Sequence, residues 1–165
     1  GGCFVAMGTK SYFYRDGRSV KQGIVYNNDS NALVVRSAEE AYEKVAQELG
    51  VQTLRLGYIP EDMYFKNLVI EDGYGKLQYE YKHNQVSFIQ AKADSATSMV
   101  HSSDTEIMSQ VYNPGLHLNF EIYGESVNED GTRYETYFIY KGIYYHLFGE
   151  LPKREFEEML QKIHL

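Results

Sequence analysis

The chain has 165 residues, 43% of them apolar and 24% charged, with a net charge of −7. That length suits one domain with a sizeable core, and the acidic balance argues against nucleic acid or an anionic membrane surface as a direct partner. A single cysteine, Cys3, excludes an intrachain disulfide and a cysteine-built zinc site, and no apolar run approaches the roughly 18 residues of a membrane helix.

In chain order, residues 1–36 read as an N-terminal extended segment. Its apolar stretch Cys3-Phe4-Val5-Ala6-Met7 has three readings that the residues leave open: a plain first strand, the remnant of a membrane-anchor region, or a lipid-attachment site at Cys3. Residues 37–165 read as a single α+β domain. Ser37 and Glu40 stand at capping-box spacing, and Ala38, Ala41, Tyr42, Val45, Ala46 and Leu49 recur at helical spacing behind them. Gly50 stands where a left-handed C-terminal cap belongs, so the pattern predicts a helix over 38–49.

A strand-rich region follows. Residues 54–58 form a short apolar run stopped by Pro60, and 65–71 read as a strand ended by Asp72-Gly73. Residues 76–82 alternate, with Leu77, Tyr79 and Tyr81 on one face and Gln78 and Glu80 on the other; His83-Asn84 reads as the turn into a strand over 85–92. The small polar residues of 92–115 predict a long surface excursion, with one helical turn after Ser103 or Asp104. In 116–123, Leu118, Phe120 and Ile122 point inward, and His117, Asn119 and Glu121 outward.

The most strongly patterned stretch is 133–151, RYETYFIYKGIYYHLFGEL, two aromatic runs joined at Lys141-Gly142. Glycine at the second turn position tolerates positive φ, so this is a hairpin. Alternation puts Tyr134, Tyr140 and Tyr145 on one face, and Tyr137 and Tyr144 on the other; His146 and Phe148 share a face with Tyr144. Pro152 then opens a helix whose stripe is Phe156, Met159, Leu160 and Ile163. The expected fold is α+β: an antiparallel meander sheet of about six strands, with an N-terminal-side helix and a C-terminal helix packed on one face.

Three stretches carry a resemblance: LGYIPEDMYFKNLVI at 56–70, KLQYEYKHNQVSFIQ at 76–90 and YFIYKGIYYHLFGELPKREFEEMLQKI at 137–163. They resemble a family of domains of unknown function from Gram-positive bacteria, with a Tyr-x-Leu-x-Gly ending met here as Tyr145-His146-Leu147-Phe148-Gly149. The resemblance implies an extracytoplasmic domain, C-terminal to a membrane anchor, in proteins of which some are anti-sigma-factor-like. It supplies no catalytic residue.

The residues themselves supply little chemistry. Of the five histidines, His83, His101, His117, His146 and His164, no pair has the spacing of a helical zinc site. Asp94, His101, Ser102 and Asp104 contain the types of a nucleophile–base–orienter set, but they sit in a polar loop without a Gly-x-Ser-x-Gly elbow. No catalytic residue, metal ligand or cofactor is therefore assigned. Tyr137, Tyr144, His146 and His117 are the candidate ligand- or partner-binding residues, since an aromatic sheet face left uncovered marks a contact site. The expected role is a non-enzymatic extracytoplasmic sensor or interaction domain of a membrane-anchored regulatory protein, binding a protein, peptide or envelope ligand. The alternative is a small hydrolase or metal-dependent enzyme using the 94–104 loop with His117 or His146, and a third reading is a homodimer through a sheet edge or face.

Overall fold

The computed structural model describes residues 12–13, 22–27, 35, 37–71, 73–92, 106–128 and 131–165. Helix α1 (Ala38–Leu49) starts where the sequence expects it: Ser37 is extended, and its Oγ accepts the Glu40 N–H at 3.2 Å. Gly50 ends the helix with φ 76°, donating its N–H to the Ala46 carbonyl at 2.8 Å. The strands are β1 (Tyr12–Phe13), β2 (Gln22–Asn27), β3 (Met63–Glu71), β4 (Tyr74–Tyr81), β5 (Asn84–Lys92), β6 (Glu106–Asn113), β7 (Leu118–Asn128), β8 (Gly131–Tyr140) and β9 (Ile143–Glu150), followed by helix α2 (Lys153–Gln161).

Seven strands, β3 to β9, make the antiparallel sheet that carries the two helices, in the order β3-β4-β5-β9-β8-β7-β6; β2 and then β1 extend it beyond β3. This corrects the single meander of about six strands. Two meanders share one sheet: β3-β4-β5 and β6-β7-β8-β9, welded where β9 pairs with β5 and Phe88 lies opposite Leu147. Of these seven, the strand missing from the sequence reading is β6, which lies inside the predicted 92–115 excursion. Its Ile107, Met108 and Tyr112 are 55%, 46% and 51% exposed, so an edge strand with a mixed surface gives little alternation to read. The rest of that excursion, with Asp94, His101, Ser102, Asp104 and the expected helical turn, lies outside the described residues, as does Cys3.

Two smaller corrections have local causes. The β4–β5 turn is Lys82-His83, one residue earlier than expected; both have positive φ, 46° and 74°, as a tight hairpin turn requires, and Asn84 already belongs to β5. Residues 54–58 are not a strand. They run irregularly, with one isolated bridge between Arg55 and His164.

Both helices cover the same sheet face. Ala41, Tyr42, Val45 and Leu49 of α1 join one core with Leu77 and Tyr79 of β4 and Phe88 of β5; Phe156, Met159 and Leu160 of α2 extend it over Val111, Phe120 and Ile122. Alternation decides the face, as with the buried-intermediate pattern that runs along β4 and β9. Gly75 is needed here: a Cβ on it would come within 2.8 Å of Val45 Cγ2, so its absence lets α1 settle on β4.

The irregular segment before β3 crosses the helix side of the sheet, and its backbone polar groups must be matched there. The Tyr145 hydroxyl accepts the Leu54 N–H at 3.1 Å, Gln90 Nε2 donates to the Leu54 carbonyl at 2.9 Å, and the Tyr42 hydroxyl accepts the Leu56 N–H at 3.0 Å while lying 3.2 Å from the Tyr79 hydroxyl. At the other end Asn113 does similar duty. Its Nδ2 donates to the Leu160 and Ile163 carbonyls at the end of α2, and its Oδ1 accepts the Leu116 N–H, all at 2.9 Å.

Two outcomes are expected. Tyr145→Phe keeps the ring but orphans the Leu54 amide, and should lower unfolding free energy by about 1–3 kcal/mol in urea melts; an unchanged midpoint counts against the role given to that hydroxyl. Alkaline stability follows from the same groups. Burial pushes the Tyr79 and Tyr145 hydroxyls up to about 12 and the Tyr42 hydroxyl well above its usual 10. A raised folded-state value means that the native protein keeps a proton the unfolded chain releases, so this stability is present below pH 10 and lost between about pH 10 and 12, at about 1.4 kcal/mol per pH unit for each tyrosine. Denaturation midpoints should be flat through pH 9 and fall steeply above 10; a flat profile to pH 11.5 contradicts this.

Candidate functional site

The sheet face opposite the helices holds a different set of groups. The β8–β9 hairpin turns at Lys141-Gly142, with φ 51° and 81°, and this fixes Glu135 opposite Phe148 and Tyr137 opposite His146. Glu135 and His146 are therefore diagonal neighbours on one face. His146 Nε2 and Glu135 Oε1 lie 2.8 Å apart, with side chains only 16% and 6% exposed. The pair is walled by rings: Phe148 at 4.5 Å and Tyr137 at 5.6 Å from the imidazole, and Tyr123 at 5.3 Å from Tyr137. The Arg133 guanidinium lies 5.7 Å over the Phe148 ring and 3.4 Å from Glu125 Oε1.

One row crosses this face through four strands, Lys76, Ile89, His146 and Tyr137, and the neighbouring row runs through Tyr74, Ala91, Tyr144 and Ile139. Burial raises the Tyr144 hydroxyl, with Glu135 adding to the effect, and lowers the Lys76 ammonium from its usual value. The Tyr137 hydroxyl is pushed up strongly, first by burial and then by Tyr123 and Glu135. Ile139, at 60% exposed, ends its row in the open.

The β7–β8 ladder adds a further feature. It runs from Asn128 opposite Gly131 to Tyr123 opposite Glu135 and stops there, although β7 continues back to Leu118 and β8 on to Tyr140. Where the ladder ends, Gln110, Asn119, Glu121, Tyr123 and Tyr137 line a depression of about 170 Å3, floored at Phe120 and Phe138. The Phe120 and Phe138 rings pack with the core on the helix side, 4.5 Å apart. The Tyr123 hydroxyl donates to Glu121 Oε1 at 2.9 Å, and that bond leads the causes raising the Tyr123 hydroxyl.

Of the residues singled out in the sequence, Tyr137, Tyr144 and His146 come together on this face. His117 does not: it closes the β6–β7 turn with φ 57°, its Nδ1 3.3 Å from the Tyr112 hydroxyl, at least two strand spacings, about 10 Å, from β9. The expectation that it shares a face site with His146 fails because it lies in the turn rather than in the strand. Glu135, Tyr123, Glu121 and Arg133 are the members that sequence reasoning missed. The signal for Glu135 was present, since a turn at Lys141-Gly142 already fixes the hairpin register. Among the described residues no group of three His, Cys, Asp or Glu is placed to hold a metal. The arrangement offers a ligand aromatic faces, carboxylates and an imidazole held in place by packing.

Residues 53–163 match a family model described as a domain of unknown function (DUF4367). No curated protein and no solved structure matches the chain. The matched stretch begins beside Leu54 and ends at Ile163, so the Arg55–His164 bridge joins its two ends, while α1 packs on it from outside.

The Glu135–His146 pair makes a testable energetic claim. His146→Ala leaves a nearly buried carboxylate without its imidazole and should cost about 3 kcal/mol. The Glu135→Gln, His146→Gln double variant should cost clearly less than the sum of the two single changes, by about 1 kcal/mol or more in a double-mutant cycle. Additive single effects would mean that the two side chains are not coupled.

Proposed function

The chain belongs to this family of domains of unknown function, and from that premise we propose that it is a non-enzymatic extracytoplasmic sensor or interaction domain of a membrane-anchored regulatory protein. Its ligand is a protein, a peptide or a component of the cell envelope, met on the sheet face opposite the helices. The setting, in a Gram-positive envelope and in some relatives beside an anti-sigma-factor-like region, comes from the resemblance of the 56–70, 76–90 and 137–163 stretches. The observation that carries the reading is the Glu135–His146 pair enclosed by Tyr137 and Phe148 on a face that neither helix covers. Polar groups held this close to full burial are costly to keep unless they serve specificity or recognition.

The alternative, a small hydrolase or metal-dependent enzyme using the 94–104 loop with His117 or His146, falls on a loop outside the described residues, and no observation favours it. No helix among the described residues is long and apolar enough to cross a membrane, so the proposed anchor is a segment outside them.

Topology and contact are tested together in the native host. A β-lactamase fused after Leu165 of the full-length gene product should protect the cell from ampicillin, and a photo-crosslinking residue at position 144 should give an adduct that position 47, on the outer side of α1, does not. An inactive fusion at normal expression overturns the extracytoplasmic assignment. Adducts at 47 but not at 144 move the contact to the helices.

A further inference from the structure

The depression at the end of the β7–β8 ladder has a chemistry more specific than a general contact face. Its one charged lining group is Glu121. No lysine, arginine or histidine pairs with that carboxylate among the described residues; its bond is from the Tyr123 hydroxyl to Oε1, which fixes the carboxylate beside the cavity and leaves Oε2 as an acceptor. The remaining polar lining is the side-chain amides of Gln110 and Asn119, and the apolar wall is the Tyr123 and Tyr137 rings, 5.3 Å apart at an interplanar angle of 61°. Both rings line the depression.

Glu135 and Glu121 both act to raise the Tyr137 hydroxyl, the Arg133 guanidinium on the same face is already paired with Glu125, and the His146 imidazole bonds Glu135. A carboxylate ligand would meet Glu121 with no cation to receive it, and an apolar one would strip water from the carboxylate without replacing its bonds. A cation satisfies every group at once: carboxylate and amide oxygens accept its N–H bonds, and tyrosine faces attract it through their quadrupole. The volume, about 170 Å3, suits one alkylammonium side chain rather than a larger ring system.

We propose that the Glu121–Tyr123–Tyr137 depression is a recognition pocket for the ammonium of a lysine side chain carried by a partner peptide. This deepens the proposed role of the face and rests on it. The last pair of the β7–β8 ladder, Tyr123 opposite Glu135, lies at the edge of the pocket, so the partner meets the pocket where the ladder ends.

The test uses the 165-residue chain with 13C-labelled tyrosine rings, titrated with N-acetyl-lysine-N-methylamide. The control is N-acetyl-norleucine-N-methylamide, which has the same chain length and lacks the ammonium. Saturable shifts confined to the Tyr123 and Tyr137 rings are expected with the lysine probe and not with norleucine, and Glu121→Gln should weaken binding about tenfold with the core tyrosine signals unmoved. Since Glu121 is exposed, that variant leaves the fold intact, and Asn119→Asp, which adds charge at the same lip, should strengthen binding. Equal shifts with norleucine, no shift at Tyr123 and Tyr137, or a Glu121→Gln chain that binds as before would each overturn the proposal. The crosslink from position 144 reads the general role of the face alone, so a positive crosslink with a failed lysine titration removes the pocket and leaves the wider reading standing.

Discussion

The backbone of residues 51–60 crosses the helix side of the sheet with neither a helix nor a ladder of its own, and Leu54 there is fully buried. A buried amide without a partner costs about 1–3 kcal/mol, so such a segment exists only if side chains supply what secondary structure does not. Tyr145, Tyr42 and Gln90 supply it from a strand, a helix and another strand, at sequence distances of 91, 14 and 36 residues. The segment in turn holds its place through the Arg55–His164 bridge, and the Arg55 guanidinium lies 5.5 Å over the Tyr42 ring and pairs with Glu39. These bonds fix α1, the segment, the sheet and the chain's last residues against one another.

The consequence is a division of labour between the two faces of one sheet. On the helix side Tyr145, Gln90 and Asn113 spend their bonds on backbone: Tyr145 and Gln90 on Leu54, Asn113 on Leu116, Leu160 and Ile163. On the opposite side polar side chains bond to one another: Glu135 with His146, Tyr123 with Glu121, Arg133 with Glu125, Tyr64 with Glu80. Groups of the first kind cannot be changed without loosening the fold. Groups of the second kind are arranged by the fold, and apart from the nearly buried Glu135–His146 pair they lie where a change costs the fold less.

How much of this was legible in the sequence follows the range of each interaction. Ser37, Glu40 and Gly50 announce α1 because caps are local. Lys141-Gly142 announces the last hairpin, and alternation sorts Tyr134, Tyr140 and Tyr145 from Tyr137 and Tyr144, because strand periodicity is local too. The β5–β9 pairing is not local: Phe88 meets Leu147 across three intervening strands, and neither run carries a mark of its partner, so the sheet read as one meander. β6 escaped because an edge strand with exposed Ile107 and Tyr112 lacks the contrast that alternation needs. Asn84 drew the β4–β5 turn one residue late, since asparagine tolerates positive φ better than the Lys82 and His83 that adopt it. The depression was invisible because it arises where the β7–β8 ladder stops, which depends on the pairing of two whole strands and not on any one residue.

If the tyrosine hydroxyls hold the irregular segment, it is fixed as firmly as the sheet, and native-state hydrogen exchange at single-residue resolution reads this out residue by residue. The Leu54 and Leu56 amides should exchange only through global unfolding, with the same free energy as the amides of Phe88 and Leu147 in the central strands, although neither leucine belongs to a helix or a strand. Exchange of those two amides at the rate of an ordinary loop, orders of magnitude faster than the strands, would show that the tyrosine hydroxyls do not hold the segment.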